Sequence, residues 1–468
     1  MEERKVDVAI IGSGSAGLYA LGKVKAARKS FVLINGGEQG TTCARVGCMP
    51  SKALIQAAED FHRRGILGRY GVEGHKELTL DTEEAIGHVQ DLRDTFVDRV
   101  ISNSTAQMPE DKFIEGYAHF VEPNLLEVSD IRIRADKVII ATGSHPIIPK
   151  PWQAFGDKVI TTDELFELED LPKSLAVIGL GVIGLEIGQS LSRLGVEVAG
   201  FDLLETIGGL DDPAVAKAAI EIIGKEFPLH LGHAAEITGE GDQLRVTAGD
   251  QSVLVDKVLA SLGRQPNLQS LKLENAGIVL NDKGVPDYNP QTMQIGNSHI
   301  FLAGDVNGDR PLLHEAGDEG RIAGHNATSD EIHAFKRKTP IAINFVDPNI
   351  CHIGMRWSEL DQETTAIGEV NLAPVGRALI MGKNKGIIRV YADKASGKLL
   401  GSEMICAKGE NLAHLLAWCI QQQLTVGELL QMPFYHPVLE EALQAALYDL
   451  YAKVSQKNSG PITELPLA

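Results

Sequence analysis

Two glycine-rich segments of the same form constrain the fold of this chain most. Each follows a short apolar run, residues 6–11 and 174–178, and each precedes a segment with helical character. In the G-x-G-x-x-G pattern the three glycines permit a tight turn, close approach of a pyrophosphate, and packing of helix on strand. The repeat predicts an α/β protein with two Rossmann-like dinucleotide-binding units. The glycines are Gly12, Gly14 and Gly17 in the first segment and Gly179, Gly181 and Gly184 in the second.

The residue that ends the second strand of each unit bears on the nucleotide. In the second unit this residue is Asp202, and no arginine lies in residues 203–206. An acidic side chain here accepts hydrogen bonds from a ribose 2′-hydroxyl and repels a 2′-phosphate, so we expect NAD rather than NADP. The first unit has Asn35 at this position, and its amide can still hydrogen-bond a ribose.

Cys43 and Cys48 lie shortly after the first unit begins. On a regular helix their Cα atoms would be roughly 8–9 Å apart, whereas a disulfide needs at most about 7 Å. The pair can therefore close only if the backbone leaves the regular helix, and Pro50 favours this because it cannot donate a hydrogen bond to the Val46 carbonyl. A disulfide in imperfect geometry is easily reduced, which suits redox catalysis better than structural cross-linking.

Composition excludes several other classes. The formal net charge of −19 argues against nucleic acid and anionic membranes as partners. No apolar run approaches the roughly 18 residues of a membrane span, and we expect no targeting peptide before the first strand. Five cysteines in 468 residues predict a reducing, cytoplasmic setting. No second cysteine pair or histidine cluster indicates a metal site, and Cys351, Cys406 and Cys419 are predicted to be packed core thiols.

The cysteine pair, the following Pro50-Ser51-Lys52 and both glycine motifs resemble the pyridine nucleotide–disulfide oxidoreductases over essentially the whole chain. Within that family the chain is most similar to the dihydrolipoamide dehydrogenases. The resemblance implies FAD in the first unit, NAD in the second, and a lipoyl-bearing carrier protein or complex as partner. It also implies that Cys43 exchanges with the substrate, that Cys48 faces the flavin, and that Lys52 pairs with Glu186 near the flavin ring.

Further segments match the family and extend the set of implied contacts. They are residues 141–146, 262–267 and 300–305, the last ending in the aspartate that contacts the ribitol chain. The implied FAD contacts are Gly12, Gly14, Gly17, Asn35, Thr42, Lys52, Ala118, Thr142, Gly143, Asp305 and Ala316. The implied NAD contacts are Gly179, Gly181, Gly184, Glu186, Asp202, Gly263 and Arg264. His314 lies near this second flavin segment, and we assign it to packing.

A histidine–proline pair near the end of the chain completes the resemblance. In the family, the match for His436 reaches the disulfide of the other subunit, and the match for Glu441 is its carboxylate partner. A thiol–disulfide exchange needs a base that titrates near pH 7, and histidine does so. The resemblance therefore implies a homodimer. Its domains are an FAD domain at 1–150 and 272–338, an NAD domain at 151–271, and a C-terminal α+β dimerisation domain at 339–468.

Departures from the usual dihydrolipoamide dehydrogenase pattern keep other functions open. Arg45 lies between the cysteines and adds positive charge that favours a thiolate, while Phe434 and Val438 flank His436. An NADH-dependent reductase of another disulfide and a lipoyl-carrier oxidoreductase outside the 2-oxoacid complexes remain alternatives. Glutathione reductase, mercuric reductase and soluble transhydrogenase fit less well, because the motifs near Ser51, Cys48 and the C-terminus differ from theirs. A non-enzymatic flavoprotein scaffold is disfavoured because every redox position is retained.

Overall fold

The computed structural model describes residues 2–467, so Met1 and Ala468, the outermost residues of the predicted domains, lie outside it. Both glycine motifs lie at strand–helix junctions, as predicted. The first helix begins at Ser15, within the glycine motif, and the Gly14 carbonyl accepts its first hydrogen bond, from the Leu18 N–H at 2.9 Å. Apolar side chains on the first strand are almost completely buried, which is typical of a parallel strand covered on both faces.

The first part of the chain forms most of one large sheet. Six of its strands lie in the order β3-β2-β1-β6-β5-β4, and β1 pairs in parallel with β2 and β6. The strands are β1 (Glu2–Ile11), β2 (Phe31–Asn35), β3 (Phe113–Glu115), β4 (His119–Glu122), β5 (Leu125–Val128), β6 (Ile131–Ile140) and β7 (Ser144–Pro146). The helices are α1 (Ser15–Ala26), α2 (Thr42–Arg45), α3 (Cys48–His62), α4 (Arg64–Leu67) and α5 (Thr82–Ser104).

The middle of the chain forms the second Rossmann-like unit. Its parallel sheet has the order β11-β10-β9-β15-β8, beside an antiparallel sheet β12-β13-β14. The strands are β8 (Val159–Ile160), β9 (Ser174–Ile178), β10 (Glu197–Asp202), β11 (Leu229–Leu231), β12 (Glu236–Glu240), β13 (Gln243–Ala248), β14 (Gln251–Val255), β15 (Lys257–Ala260) and β16 (Arg264–Pro266). The helices are α6 (Thr162–Leu165), α7 (Val182–Arg193) and α8 (Pro213–Ile223).

The chain then returns to the first sheet. Strand β17 (Ile300–Leu302) pairs in parallel with β6 and is the seventh strand of the first sheet. Helix α9 (Leu313–Thr328) packs along α1. Strands β7 and β16 pair with each other where the chain leaves and re-enters the first unit. The first Rossmann-like unit is therefore built from two separate stretches of sequence.

The last part of the chain is an α+β unit with an antiparallel sheet in the order β18-β19-β22-β21-β20. Its strands are β18 (Ile341–Asn344), β19 (Asn349–Gly354), β20 (Thr365–Asn371), β21 (Ile387–Asp393) and β22 (Leu399–Cys406). Its helices are α10 (Gly376–Met381), α11 (Gly409–Gln421), α12 (Val426–Leu430) and α13 (Glu440–Lys453). The predicted fold class is confirmed, while the domain boundaries at 150, 271 and 338 stay predictions. Within residues 2–467, no helix combines the length and apolar character needed to cross a membrane.

Candidate active site

The two glycine loops have the same geometry. Gly12 has φ +110°, and a Cβ atom there would lie 2.3 Å from the Ala141 carbonyl oxygen; Gly179 has φ +97°, and a Cβ there would lie 2.3 Å from the Ser261 oxygen. Only glycine is accommodated at these close approaches. A Cβ atom at Gly14 or at Gly181, by contrast, meets nothing within 4 Å. This open space above the start of a helix fits a pyrophosphate in both loops.

Asn35 and Asp202 have equivalent positions in the two units. Each accepts a hydrogen bond from the second residue of its glycine loop: Asn35 Oδ1 from the Ser13 N–H at 3.3 Å, and Asp202 Oδ2 from the Leu180 N–H at 2.6 Å. The other oxygen of Asp202 accepts the Leu204 N–H at 2.9 Å. Each carboxylate oxygen can accept a further hydrogen bond. Asp202 can therefore support its loop and still bind ribose hydroxyls.

The backbone between the two cysteines leaves the regular helix, as predicted. Helix α2 ends at Arg45 and α3 begins at Cys48, with Val46 at φ −132° and Gly47 at φ −123°, ψ −121°. Pro50 is the third residue of α3, where a missing N–H leaves no intrahelical hydrogen bond unmade. Thr42, an expected FAD contact, is the exposed first residue of α2. The break leaves the two thiols close enough for each to shift the pKa of the other.

The two thiols have opposite acidities. A hydrogen bond to Cys48, followed by burial, raises the pKa of Cys43 well above its ordinary value. The same hydrogen bond lowers the pKa of Cys48 to about 7, against the effect of burial, and the Lys52 ammonium lowers it further. In the dithiol form Cys43 therefore keeps its proton and donates it to a Cys48 thiolate. Cys43 is half-buried, whereas Cys48 is exposed.

Lys52 is held by side chains from distant parts of the sequence. Its Nζ lies 2.7 Å from Glu186 Oε2, which also accepts the Ser51 hydroxyl at 3.0 Å. Glu186 Oε1 accepts the Phe345 N–H at 2.9 Å, and the Phe345 ring centroid lies 4.6 Å from Lys52 Nζ. Glu186 is only 3% exposed. The structure thus brings Glu186 to Lys52, and both of its carboxylate oxygens have partners within the protein.

Arg45 does not contribute the charge that the sequence suggested. Its guanidinium forms an ion pair with Glu38 on the surface. The cation that lowers the pKa of Cys48 is Lys52, one helical turn along α3. The expectation that Arg45 favours the thiolate is therefore corrected, because its charge is largely balanced by the Glu38 carboxylate.

The three other family-like segments meet where β7 pairs with β16. Ser144 Oγ donates to Asp305 Oδ2 at 3.3 Å and accepts from Arg264 Nε at 2.8 Å. Thr142 Oγ1 donates to the Asn267 carbonyl at 2.7 Å. Burial raises the pKa of Asp305, and the Arg264 charge opposes this. Gly143 has φ +69° and Gly263 has φ +96°. Ala118 and Ala316 are buried.

His436 and Glu441 form a second cluster, in the C-terminal unit. His436 Nδ1 lies 2.8 Å from Glu441 Oε1, and Glu441 Oε2 accepts the Val438 N–H at 3.0 Å. The hydrogen bond to His436, and then that from Val438, lower the pKa of Glu441. The His436 side chain is 80% exposed. Within residues 2–467, no hydrogen bond joins His436 to the dithiol of its own chain.

The remaining candidates lie elsewhere. Cys351 and Cys406 are buried in the core of the C-terminal unit, and Cys419 is half-buried at its edge. His314 is exposed near the start of α9, so its assignment to packing is corrected. Sequence reasoning missed Phe345, which no local pattern marks because its contacts are formed between domains. The contacts of Ser51, Ser144 and Asn267 were also missed, although all three residues lie inside recognised motifs.

Comparison with known proteins agrees with this geometry. The family described as pyridine nucleotide-disulphide oxidoreductase matches residues 6–320, and its dimerisation domain matches residues 340–447. The dihydrolipoyl dehydrogenase of Haloferax volcanii is 29% identical over 464 residues, covering 94% of this chain and 95% of that protein. The dihydrolipoyl dehydrogenase of Chlamydia pneumoniae is 28% identical over 448 residues, covering 94% and 95%.

A solved structure shares the fold. The HOCl-induced flavoprotein disulfide reductase RclA from Escherichia coli superposes with a TM-score of 0.82 at 23% identity, over 96% of this chain and 100% of that one. The family match extends over well more than half of the chain and spans both glycine motifs and the cysteine pair. The chain therefore belongs to the pyridine nucleotide–disulphide oxidoreductases, a family that binds FAD and NAD(P).

Proposed function

We propose that this protein oxidises protein-bound dihydrolipoamide to lipoamide and reduces NAD, using Cys43, Cys48 and FAD. The observation that carries the proposal is the break between α2 and α3 that separates Cys43 from Cys48, with Lys52 held by Glu186 one helical turn beyond Cys48. The opposite shifts in the pKa values of the two thiols fit a pair that accepts electrons from a dithiol. The dihydrolipoyl dehydrogenases of Haloferax volcanii and Chlamydia pneumoniae, similar over nearly their whole length, support the choice of substrate.

The chain's residues would hold the two cofactors at separate loops. The FAD pyrophosphate would be held above Gly14, a ribose by Asn35 and the ribitol chain by Asp305. Thr42, Thr142 and Gly143 are assigned as further FAD contacts, and the flavin would be held in the vicinity of Lys52. NAD is assigned to the loop of Gly181, with Asp202 at its ribose. When bound, FAD supplies the two-electron chemistry that links a dithiol to a nicotinamide.

The thiol exchange can be written with these residues alone. His436 Nε2 removes a proton from one thiol of the substrate, and the resulting thiolate attacks Cys43. The Cys43–Cys48 bond breaks, Cys48 leaves as a thiolate, and a mixed disulfide joins the substrate to Cys43. The second substrate thiol then displaces Cys43, which takes a proton from His436. Lipoamide is released, one proton goes to solvent, and the protein retains the electron pair as one thiol and one thiolate.

The histidine in this scheme belongs to a second copy of the chain. His436 is exposed, it is hydrogen-bonded to Glu441, and the dithiol of its own chain is not among its hydrogen-bond partners in the described residues. A second chain that presents His436 to Cys43 completes the site, which makes a homodimer the active form. The match of residues 340–447 to a dimerisation domain supports this arrangement. The reducing setting expected from the few cysteines fits the same function.

A second function is favoured by a specific feature beside His436. Phe434, two residues before His436 in the sequence, is partly buried against the core of the C-terminal unit. A disulfide other than lipoamide could use this surface, and NADH would then be the electron donor. The Escherichia coli protein of the same fold is described as a HOCl-induced flavoprotein disulfide reductase, which makes such an activity worth testing.

The two functions are separated by steady-state kinetics of the purified flavoprotein. We expect dihydrolipoamide to reduce NAD rapidly and NADP at least about tenfold more slowly, since one lost charged contact at Asp202 corresponds to about 1.5–3 kcal/mol. A Cys48→Ser variant should be inactive. If dihydrolipoamide reduces neither nucleotide while NADH is oxidised by glutathione disulfide or cystine, lipoamide is not the substrate and the second function holds.

A further inference from the structure

Three parts of the fold meet at Lys52. Lys52 belongs to α3 of the first unit, Glu186 to α7 of the second, and Phe345 follows β18 of the C-terminal unit. The Phe345 N–H binds one oxygen of Glu186, and Lys52 binds the other. The ring of Phe345 covers the ammonium group at 4.6 Å from its centroid. A single aromatic residue thus contacts both members of the ion pair.

We propose that Phe345 is a positioning residue, which holds the Lys52 ammonium toward Cys48 and so keeps the thiolate of the redox pair stable. A cation over an aromatic face is attracted by the ring's negative face, and more strongly when it is desolvated. The backbone N–H of Phe345 fixes Glu186, while its ring restricts the direction in which Lys52 can point. This role rests on the proposed function, in which Cys48 is the thiolate of the reduced pair.

A neighbouring cavity offers the Lys52 side chain an alternative position if the Phe345 ring is removed. Lys52 and Phe345 both line a polar cavity of about 190 Å³ between α3, α7 and the C-terminal unit. The same cavity is lined by Glu59, Asp347 and Glu410. Arg193 and Lys408 line it as well. Lys383 pairs with Glu59 and Asp347, and Arg193 also pairs with Asp347, so Glu410 is the carboxylate here that no ion pair within residues 2–467 engages. Loss of the ring therefore permits Lys52 to turn from Cys48 into the cavity.

The charges around Cys48 make its titration a direct reporter. The hydrogen bond from Cys43 and the charge of Lys52 lower the pKa of Cys48, whereas burial and the charge of Glu186 raise it. Only Lys52 among these groups touches the Phe345 ring. Moving the ammonium away reduces a stabilising charge on the thiolate and leaves Glu186 as an uncompensated like charge. The pKa of Cys48 should then rise.

The test measures the rate of alkylation of Cys48 by iodoacetamide as a function of pH in the reduced holoenzyme, with the modified cysteine identified by mass spectrometry. We expect Phe345→Leu to raise the apparent pKa of Cys48 by about 0.3–1 unit, given that one unit corresponds to 1.36 kcal/mol. Phe345→Tyr keeps the ring and should titrate as the parent. In a Lys52→Gln background, Phe345→Leu should cause no further shift.

The outcomes of this titration support or overturn the positioning role of Phe345. An unchanged pKa in Phe345→Leu, or an equal shift with and without Lys52, overturns the proposal and leaves Phe345 a packing residue only. If the leucine variant does not fold, Phe345→Met provides the same test with an unbranched side chain that adapts more easily to the site. No substrate is used, so a failure to oxidise dihydrolipoamide leaves the result intact. A parent protein in which Cys48 titrates like an ordinary thiol would instead count against the proposed function.

Discussion

His436 Nδ1 lies 2.8 Å from Glu441 Oε1, and the second oxygen of Glu441 is held by the Val438 N–H at 3.0 Å. The backbone therefore holds the Glu441 carboxylate in the orientation in which it contacts the His436 ring. A carboxylate in this position selects the tautomer with a proton on Nδ1 and leaves Nε2 free to act as a base. It also stabilises the imidazolium that forms when the base accepts a proton.

Replacing Glu441 tests this relationship. We expect Glu441→Gln to lower the turnover of dihydrolipoamide by about 10²-fold, since positioned acid–base groups contribute about 10²–10⁴-fold. Steady-state kinetics with NAD measures the loss. Glu440→Gln is the matched control, because it makes the same chemical change one residue away and no side-chain hydrogen bond of Glu440 is seen in residues 2–467. Equal losses in both variants would show that helix α13, not the His436 contact, is responsible.

The hydrogen bond between the thiols sets the acidity of Cys48. The pKa of Cys48 is lowered to about 7 chiefly by Cys43, so the thiolate of the reduced protein forms as the pH rises through 7. Cys43→Ala removes the donor, and we expect the pKa of Cys48 to rise toward its ordinary value of about 8.5. Alkylation rates between pH 5 and 10 follow the thiolate. A midpoint that stays near pH 7 in Cys43→Ala would contradict this origin.

Asp202 determines nucleotide affinity through its charge. In Asp202→Asn we expect the KM for NAD to rise about 5- to 30-fold, which corresponds to about 1–2 kcal/mol for a weakened hydrogen bond to a charged group. The KM for NADP should not rise, because the amide no longer repels a 2′-phosphate. Asn35→Asp makes the reverse change at the equivalent position of the other unit and should leave the KM for NAD unchanged. A similar rise for both nucleotides in Asp202→Asn would point to collapse of the Leu180 loop instead.

A pair of acids joins the second unit to the C-terminal unit. Glu403 is fully buried on β22 and accepts the Asp212 N–H at 3.0 Å; its Oε1 and the Oδ1 of Asp211 are both buried and lack a donor in the described residues. A proton shared between them satisfies both oxygens. Burial, and then the Asp211 carboxylate, raise the pKa of Glu403 to about 8. Its proton is therefore present in the folded chain at neutral pH.

This proton makes stability depend on pH. The folded pKa of Glu403 lies above its unfolded value of about 4.3, so its contribution is fully present below that value and is lost as the pH rises through 8. Glu403→Gln has no proton to lose, and we expect its Tm relative to the parent to increase by roughly 2–6 °C between pH 5 and pH 8.5. Thermal melts across this range, with the exposed Glu363→Gln as control, measure the difference. Parallel curves for parent and Glu403→Gln would exclude the shared proton.

Local patterns predicted much of this molecule because they act over a few residues. The glycine loops specify a strand–turn–helix by their own backbone requirements, and the spacing of Cys43 and Cys48 required a break in the helix that is found at Gly47. The role of Asp202 at the end of β10 was likewise predicted from its separation in sequence from the second glycine motif.

Contacts between distant segments could not be predicted in this way. The ring of Phe345 reaches Lys52 only because three units pack together. The prediction that Arg45 favours a thiolate was wrong, because the path of the preceding loop brings Arg45 to Glu38. The pairing of Glu403 with Asp211 depends on how the second unit meets the C-terminal sheet. Sequence reasoning identifies which residues are chemically able to act, whereas tertiary packing decides what they touch.

The composite site, with Cys43 and Cys48 from one chain and His436 from another, is tested most directly by mixed dimers. A Cys48→Ser chain and a His436→Gln chain, each with its own affinity tag, are co-expressed and the heterodimer is isolated by successive purification on both tags. Each variant homodimer should be nearly inactive in oxidising dihydrolipoamide with NAD. The heterodimer contains one intact composite site and should recover about half of the parental activity. A heterodimer as inactive as either homodimer would show that His436 does not act on the dithiol of a second chain.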